Sequence, residues 1–305
     1  MARELALALR DEVRPLLGRH EGRGHVRGAQ EGSAGGDVTF EIDERAETFM
    51  ERFLAERAPD VAFYSEDRGL VTPDGDARWV LIVDPIDGTR PAMAGLESAC
   101  VSVALAPLDP EPRMGDVEVG CIAEIKTGTL YSAERGGGVE PLPALSGNRD
   151  VGRMFWSYGL RGRPARAMAE VLGDLIDASS VGGATFDLGS ATYDMTRVAT
   201  GQLDAYVEPG PRLVADVAGM REEFERVGGG AILNNSPYDL AAAALCLTEA
   251  GAVVTDAYGE PLAGRRLLGS SAEFQISCVV AANRELHREI CAAIDAGVER
   301  LARGL

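Results

Sequence analysis

Histidine is almost missing from this 305-residue chain: only His20, His25 and His287 are present. The first two fall in a Gly/Arg-rich connection, the third falls on a C-terminal helix pattern, and none has zinc-ligand spacing. A Ser-His-Asp hydrolase and a histidine metal centre are set aside on that ground. Cysteine is also sparse. Cys100, Cys121, Cys246, Cys278 and Cys291 are odd in number, scattered and without a CxxC pair, which reads as free thiols in a reducing cytosol. No apolar run approaches the about 18 residues of a membrane span. Arg3 and Glu4 stand where a leader would begin its apolar core, so a cytoplasmic protein without a signal peptide is expected. Positive charge is in deficit, 30 Lys and Arg against 48 Asp and Glu, for a net charge of −18. Such a surface disfavours nucleic acid and anionic membrane as partners. The glycine clusters at 136–138 and 228–230 do not form the GxGxxG of a dinucleotide site.

What the chain does have is an apolar run, Trp79-Val80-Leu81-Ile82-Val83, driven straight into Asp84-Pro85-Ile86-Asp87-Gly88-Thr89. An unbroken apolar run closed by Pro and Gly predicts a strand buried on both faces, 79–83. Its end carries two carboxylates, Asp84 and Asp87, and burying like charges together is costly unless cations hold them. The pair therefore points to hard metal ions.

Around this stretch, helical spacing covers 3–18, 42–54, 164–178, 190–200, 239–250 and 284–301. Apolar runs predict strands at 61–64, 99–106, 154–158, 203–207 and 276–282, with a hairpin over 117–125 and 129–133. The alternation indicates a layered α/β or α+β protein, with 141–150 as the boundary between two halves, 1–150 and 151–305. Acidic residues stand at four stations: Asp43 at a helix start, Glu66 after a strand, the Asp84/Asp87 pair, and Asp239 at another helix start.

Those stations in that order resemble the inositol monophosphatase superfamily of magnesium-dependent, lithium-sensitive phosphatases. The matching residues are Asp37-Val38-Thr39-Phe40-Glu41-Ile42-Asp43, Glu66-Asp67, Asp84 through Thr89, and Tyr238-Asp239 followed by Gly251-Ala252. Gly189-Ser190-Ala191 through Gly201, then Asp204 to Glu208, also resemble the family's C-terminal half. The chain departs from the family at Asp67 and Tyr238, where Glu and Trp are usual. It also departs at Pro91, where Asn is frequent, and at Gln30-Glu31-Gly32, near a frequent Lys for which Arg27 is a candidate substitute.

The resemblance implies a five-layer αβαβα sandwich with its site between the halves. It implies two or three Mg²⁺ ions held by Glu66, Asp84, the Ile86 carbonyl, Asp87 and Asp239. Thr89, paired with Asp43, would orient the attacking water and take its proton, with Glu66 assisting. Substrate would contact Asp87, Gly88, Thr89, Ala191, Glu208 and Asp239. The implied activity is hydrolysis of a small phosphorylated substrate, first an inositol monophosphate-like polyol or sugar phosphate. The alternatives are fructose 1,6-bisphosphate, a nucleotide 3′-phosphate, or a non-catalytic regulatory relative. A homodimer is expected from the family. Residues 209–237 are an insertion, expected as a flap from which Arg212 and Arg221 could reach a second anionic group. The insertion also makes Asp216, in Val214-Ala215-Asp216-Val217-Ala218-Gly219, a competitor for the role given to Asp239, which is favoured because it opens a rigid helix.

Overall fold

The computed structural model describes residues 1–19, 25–27 and 39–304. The N-terminal apolar stripe forms α1 (Ala2–Val13), which buries Leu5, Ala6, Leu9 and Val13. Two short strands, β1 (His25–Arg27) and β2 (Thr39–Phe40), pair antiparallel ahead of α2 (Glu41–Arg57), which buries Ile42, Ala46, Met50 and Leu54. Arg27 is placed by its backbone only, and Gln30-Glu31-Gly32, Asp37 and Val38 lie outside the described residues.

There follow β3 (Ala62–Ser65), β4 (Gly69–Val71), β5 (Trp79–Asp87), the short helix α3 (Thr89–Ala94), β6 (Cys100–Pro107), β7 (Val119–Glu124), β8 (Leu130–Glu134) and β9 (Gly138–Glu140). Their strands make a seven-stranded sheet in the order β4-β3-β5-β6-β7-β8-β9. The strand expected at 79–83 runs on through Pro85 to Asp87, and its register against β6 slips between Asp84 and Asp87. That slip has a consequence. Residues three apart on a regular strand face opposite sides of the sheet, and an irregularity of this kind lets both carboxylates serve one site.

The second half contributes β10 (Phe155–Tyr158), α4 (Ala165–Ser179), β11 (Ala184–Phe186), α5 (Ala191–Ala199), β12 (Ala205–Glu208), α6 (Gly210–Asp216), α7 (Met220–Val227), α8 (Pro237–Glu249), β13 (Val253–Thr255), β14 (Cys278–Ala281) and α9 (Arg284–Gly304). Its five strands are ordered β11-β10-β12-β14-β13.

Alternation along the strands sets the layers. Leu81 and Val83 of β5 pack under α1 and α2, whereas Val80 and Ile82 join α5 and α8. On the second sheet Cys278 and Val280 meet the same central helices, whereas Val279 and Ala281 face α4 and α9. The result is helix, sheet, helix, sheet, helix, the five-layer sandwich expected. All five cysteines are unpaired. No helix among the described residues is long and apolar enough to cross a membrane.

The segment expected as a flap is built differently. Residues 210–227 fold into α6 and α7, and Leu213, Val217, Met220, Phe224 and Ile232 are buried in the outer core with α4 and α9. Phe224 is fully buried, so Phe224→Ala should cost about 3–5 kcal/mol of unfolding free energy in denaturant titration; a loss below about 1 kcal/mol would mark the insertion as peripheral.

Glu47 is a buried acid on α2 whose Oε2 accepts the Ser65 hydroxyl at 2.9 Å. Burial pushes its carboxyl up from 4.5 to about 8. Because the folded value lies above the unfolded one, the group's stabilising contribution is complete below the unfolded value and is lost as pH rises through the folded value. Glu47→Gln should therefore gain stability relative to the parent between about pH 5 and 8, then hold level. A pH-independent difference in denaturation midpoints would contradict the buried neutral acid.

Candidate active site

Three carboxylates converge between the layers. Asp84, at the end of the regular part of β5, accepts the Ile86 N–H at 2.9 Å. Asp87 accepts the Thr192 N–H at 2.6 Å and the Ser190 hydroxyl at 2.9 Å, both from the start of α5. Asp239, in the first turn of α8, accepts the Ser236 N–H at 2.6 Å. Ligand oxygens of all three lie within 4.8 Å of one another. Glu66, in the turn after β3, lines the same cleft.

Burial raises all three carboxyls above their ordinary range. For Asp84 the neighbouring Asp87, Asp239 and Glu66 add to it. Asp87 is raised by burial against the pull of its Thr192 and Ser190 donors. Asp239 is pushed up to about 7, by burial first and then by Asp87. An all-oxygen set of buried, mutually repelling carboxylates fits a hard divalent cation, which removes the repulsion and supplies the missing solvation.

Beside the triad stands a hydroxyl–carboxylate pair. Thr89 opens α3, and its hydroxyl donates to Asp43 Oδ1 at 2.9 Å and lies 3.2 Å from the Ile86 carbonyl oxygen. The other Asp43 oxygen accepts the Phe40 N–H at 2.9 Å at the start of α2. Gly88, between the metal-type acids and Thr89, has φ +91°, and a Cβ there would lie 2.5 Å from the Ser98 carbonyl oxygen. Only glycine fits this approach.

Seven of the residues singled out in the sequence thus line one cleft: Glu66, Asp84, Ile86, Asp87, Gly88, Thr89 and Asp239. Asp43 stands behind Thr89. Asp216 is elsewhere, at the exposed end of α6, where it accepts the Tyr258 hydroxyl at 2.9 Å and Arg212 Nε at 3.3 Å. Ala191 is buried at the first position of α5, between the Ser190 and Thr192 donors to Asp87. Glu208 is fully buried, paired with Arg163, and is not among the residues lining the cleft.

Arg212 and Arg221 do not reach the cleft. Arg212 bonds Asp216, Asp295 and the Ala257 carbonyl, and Arg221 pairs with Glu225 on the surface of α7. Among the described residues the cleft's arginines are Arg90 and Arg161, and the returning end of the insertion supplies Ile232, Leu233, Asn234 and Ser236, none of them in a motif that the sequence displayed. The one available signal was the density of Arg and Gly in Gly159-Leu160-Arg161-Gly162-Arg163-Pro164.

Buried carboxylates clustered for cations, with a threonine–aspartate pair at a sheet-to-helix turn, define a carboxylate-type metal-dependent phosphatase. The chain belongs to the inositol monophosphatase family, whose sequence model matches residues 2–299, and it is a phosphoric monoester hydrolase by that membership. It is 28% identical over 305 residues to an inositol-1-monophosphatase of Mesorhizobium japonicum, covering 96% of this chain and 97% of that one. It is also 28% identical to a fructose-1,6-bisphosphatase/inositol-1-monophosphatase of Methanothermobacter thermautotrophicus, covering 93% and 91%. Among solved structures, the extragenic suppressor protein suhB of Bartonella henselae superposes with TM-score 0.70 at 22% identity, over 96% of each chain, and shares the fold.

Protons and cations compete for this triad, so divalent cation binding should tighten as pH rises from about 6 to 8, through the Asp239 value of about 7. Mg²⁺ should raise the parent's thermal midpoint and leave that of Asp84→Asn unmoved. An equal rise in both proteins would show that the ions bind elsewhere.

Proposed function

We propose that the protein is a Mg²⁺-dependent phosphomonoesterase that hydrolyses a small polyol or sugar phosphate. The observation that carries this reading is the Thr89–Asp43 hydrogen bond of 2.9 Å placed directly beside the carboxylate triad. Two or three Mg²⁺ ions, held by Glu66, Asp84, the Ile86 carbonyl, Asp87 and Asp239, would polarise the phosphate and favour an oxygen nucleophile at neutral pH.

The chain's own groups do the remaining work. Thr89 Oγ, fixed by Asp43, orients a water in line with the ester bond and passes its proton toward Asp43 Oδ1. Glu66, which lines the same cleft, would help hold that water. The Gly88 and Thr89 N–H groups would donate to the phosphate oxygens, in a turn that only glycine can make because a Cβ at residue 88 would strike the Ser98 carbonyl oxygen. Asp87 is locked by Ser190 and Thr192, which hold the start of α5, with Ala191 between them, against the metal side of the cleft. Asp239 faces substrate from the start of α8. Fructose 1,6-bisphosphate and nucleotide 3′-phosphates remain alternative substrates. The unpaired cysteines are consistent with a cytoplasmic protein, and a homodimer is carried over from the family.

Phosphate release from inositol 1-phosphate, fructose 1,6-bisphosphate and adenosine 3′,5′-bisphosphate, with and without Mg²⁺, tests the reading. Thr89→Ala and Asp87→Asn should lower kcat about 10²–10⁴-fold, and Thr89→Ser should recover most of the Thr89 loss. Undiminished activity in Asp87→Asn would overturn the metal assignment. Inactivity of the parent across the panel would favour a regulatory, non-catalytic protein.

A further inference from the structure

One buried acid has no part in the chemistry proposed above. Helix α2 buries Ile42, Ala46, Met50 and Leu54, and among them Glu47, which is 2% exposed. A carboxyl at a core position is costly, and an aliphatic side chain would fill the space without that cost. What the acid supplies is a directed bond. Its Oε2 accepts the Ser65 hydroxyl at 2.9 Å, and the bond itself is buried.

Ser65 ends β3 and stands immediately before Glu66, which lines the cleft. Ser65 Oγ also accepts the Arg68 N–H at 3.3 Å, closing the turn 65–68 around Glu66. The far side of the turn returns to the same helix. Arg68 donates to both oxygens of Glu44, at 2.9 and 3.3 Å, and to Glu51 at 2.9 Å. Glu44, Glu47 and Glu51 have the i, i+3, i+7 spacing of one helix face, so α2 grips the turn on both sides of Glu66. Thr39, just ahead of the helix, adds a bond from its hydroxyl to Asp67 at 2.8 Å. The Arg68 ion pairs are partly exposed and weakened by water, whereas the Glu47–Ser65 bond is shielded and is the firmer grip. Asp43 stands one turn ahead of Glu47 on this helix and fixes Thr89. One rigid element therefore sets the Thr89–Asp43 pair directly and Glu66 through Ser65.

We propose that Glu47 is a positioning residue for Glu66, holding the turn 65–68 so that Glu66 and Asp84 can bind one Mg²⁺ together. This rests on the reading of Glu66 as a metal ligand and extends it one residue outward. The outer partners of a metal ligand set its orientation, and removing one lowers metal affinity about 10–100-fold. Glu47 lies outside the cleft lining, so its effect should fall on cation binding and leave substrate contacts alone.

Calorimetric titration of Mg²⁺ without substrate tests this on the parent, Glu47→Leu, Glu47→Gln and Ser65→Ala. Glu47→Leu should weaken Mg²⁺ binding about tenfold or more, whereas Glu47→Gln, which keeps an acceptor for Ser65, should stay within about threefold. The Mg²⁺ concentration for half-maximal phosphate release should rise in step, with KM for inositol 1-phosphate at saturating Mg²⁺ unchanged. The deciding comparison is made in Glu66→Gln: if Glu47 acts through Glu66, adding Glu47→Leu there should weaken Mg²⁺ binding by less than about twofold more. An equal loss in both backgrounds, or a lowered thermal midpoint with Mg²⁺ affinity unchanged, would make Glu47 a core residue alone and overturn the proposal. If Glu47→Leu does not fold, Ser65→Ala removes the same bond from the other side and is judged by the same comparisons. No measurable Mg²⁺ binding by the parent overturns both readings. A protein that shows the expected Mg²⁺ pattern yet releases no phosphate fails the phosphatase reading and leaves this one standing.

Discussion

Electrostatic repulsion among Asp84, Asp87 and Asp239 is the constraint that the architecture serves. Three ligand oxygens within 4.8 Å, in a cleft that keeps these side chains from water, repel one another strongly. The fold holds them by giving each at least one backbone donor: Ile86 for Asp84, Thr192 for Asp87, Ser236 for Asp239. These bonds do not neutralise the cluster, since all three carboxyls stay raised. They fix its geometry, and neutralisation is left to cations. Such a site is pre-formed and under tension, which is how it gains affinity for ions of the right charge and size.

The donors come from different layers, and that explains why the site lies where it does. Asp84 and Asp87 leave the first sheet, whereas the donors to Asp87 and the whole of Asp239 come from the starts of α5 and α8, the two helices of the central layer. Asp43 and Asp239 use one device twice. Each sits in the first turn of its helix and spends one oxygen on the N–H three residues back; the other serves the Thr89 hydroxyl in Asp43 and the cleft in Asp239. A helix start thus positions a functional acid at little added cost, because that N–H needs an acceptor in any case.

How much of this was legible in the sequence follows from the range of the interactions. The hexapeptide from Asp84 to Thr89 and the acid at each helix start are local, so residue type and spacing carried them. The long strands and amphipathic helices were legible for the same reason. Short elements were not. Strands β4, β9 and β11 have three residues each and exist because neighbours complete their ladders. Helix α6 was hidden by Pro209, Gly210 and Pro211, which read as loop but fall at its start, where proline costs no hydrogen bond. The irregularity between Asp84 and Asp87 was invisible too, since it appears only in the register against β6.

The substrate wall was the least legible part, and the cause is pairing across distance. Glu208 matches its family position in type and context, yet it is fully buried and paired with Arg163, 45 residues earlier. Charge alone did not reveal which arginine does what: Arg161 and Arg163 are two residues apart, but the left-handed Gly162 sends one to the cleft and the other to the core. The insertion had a comparable effect. Its helices joined the outer core, and only the chain returning toward Asp239 came to wall the cleft, bringing Asn234 beside Arg161. A metal cluster can be inherited through local motifs because its ligands need only helix starts and one strand end. A substrate wall depends on which distant side chains are already paired, so it can change while the motifs stay intact.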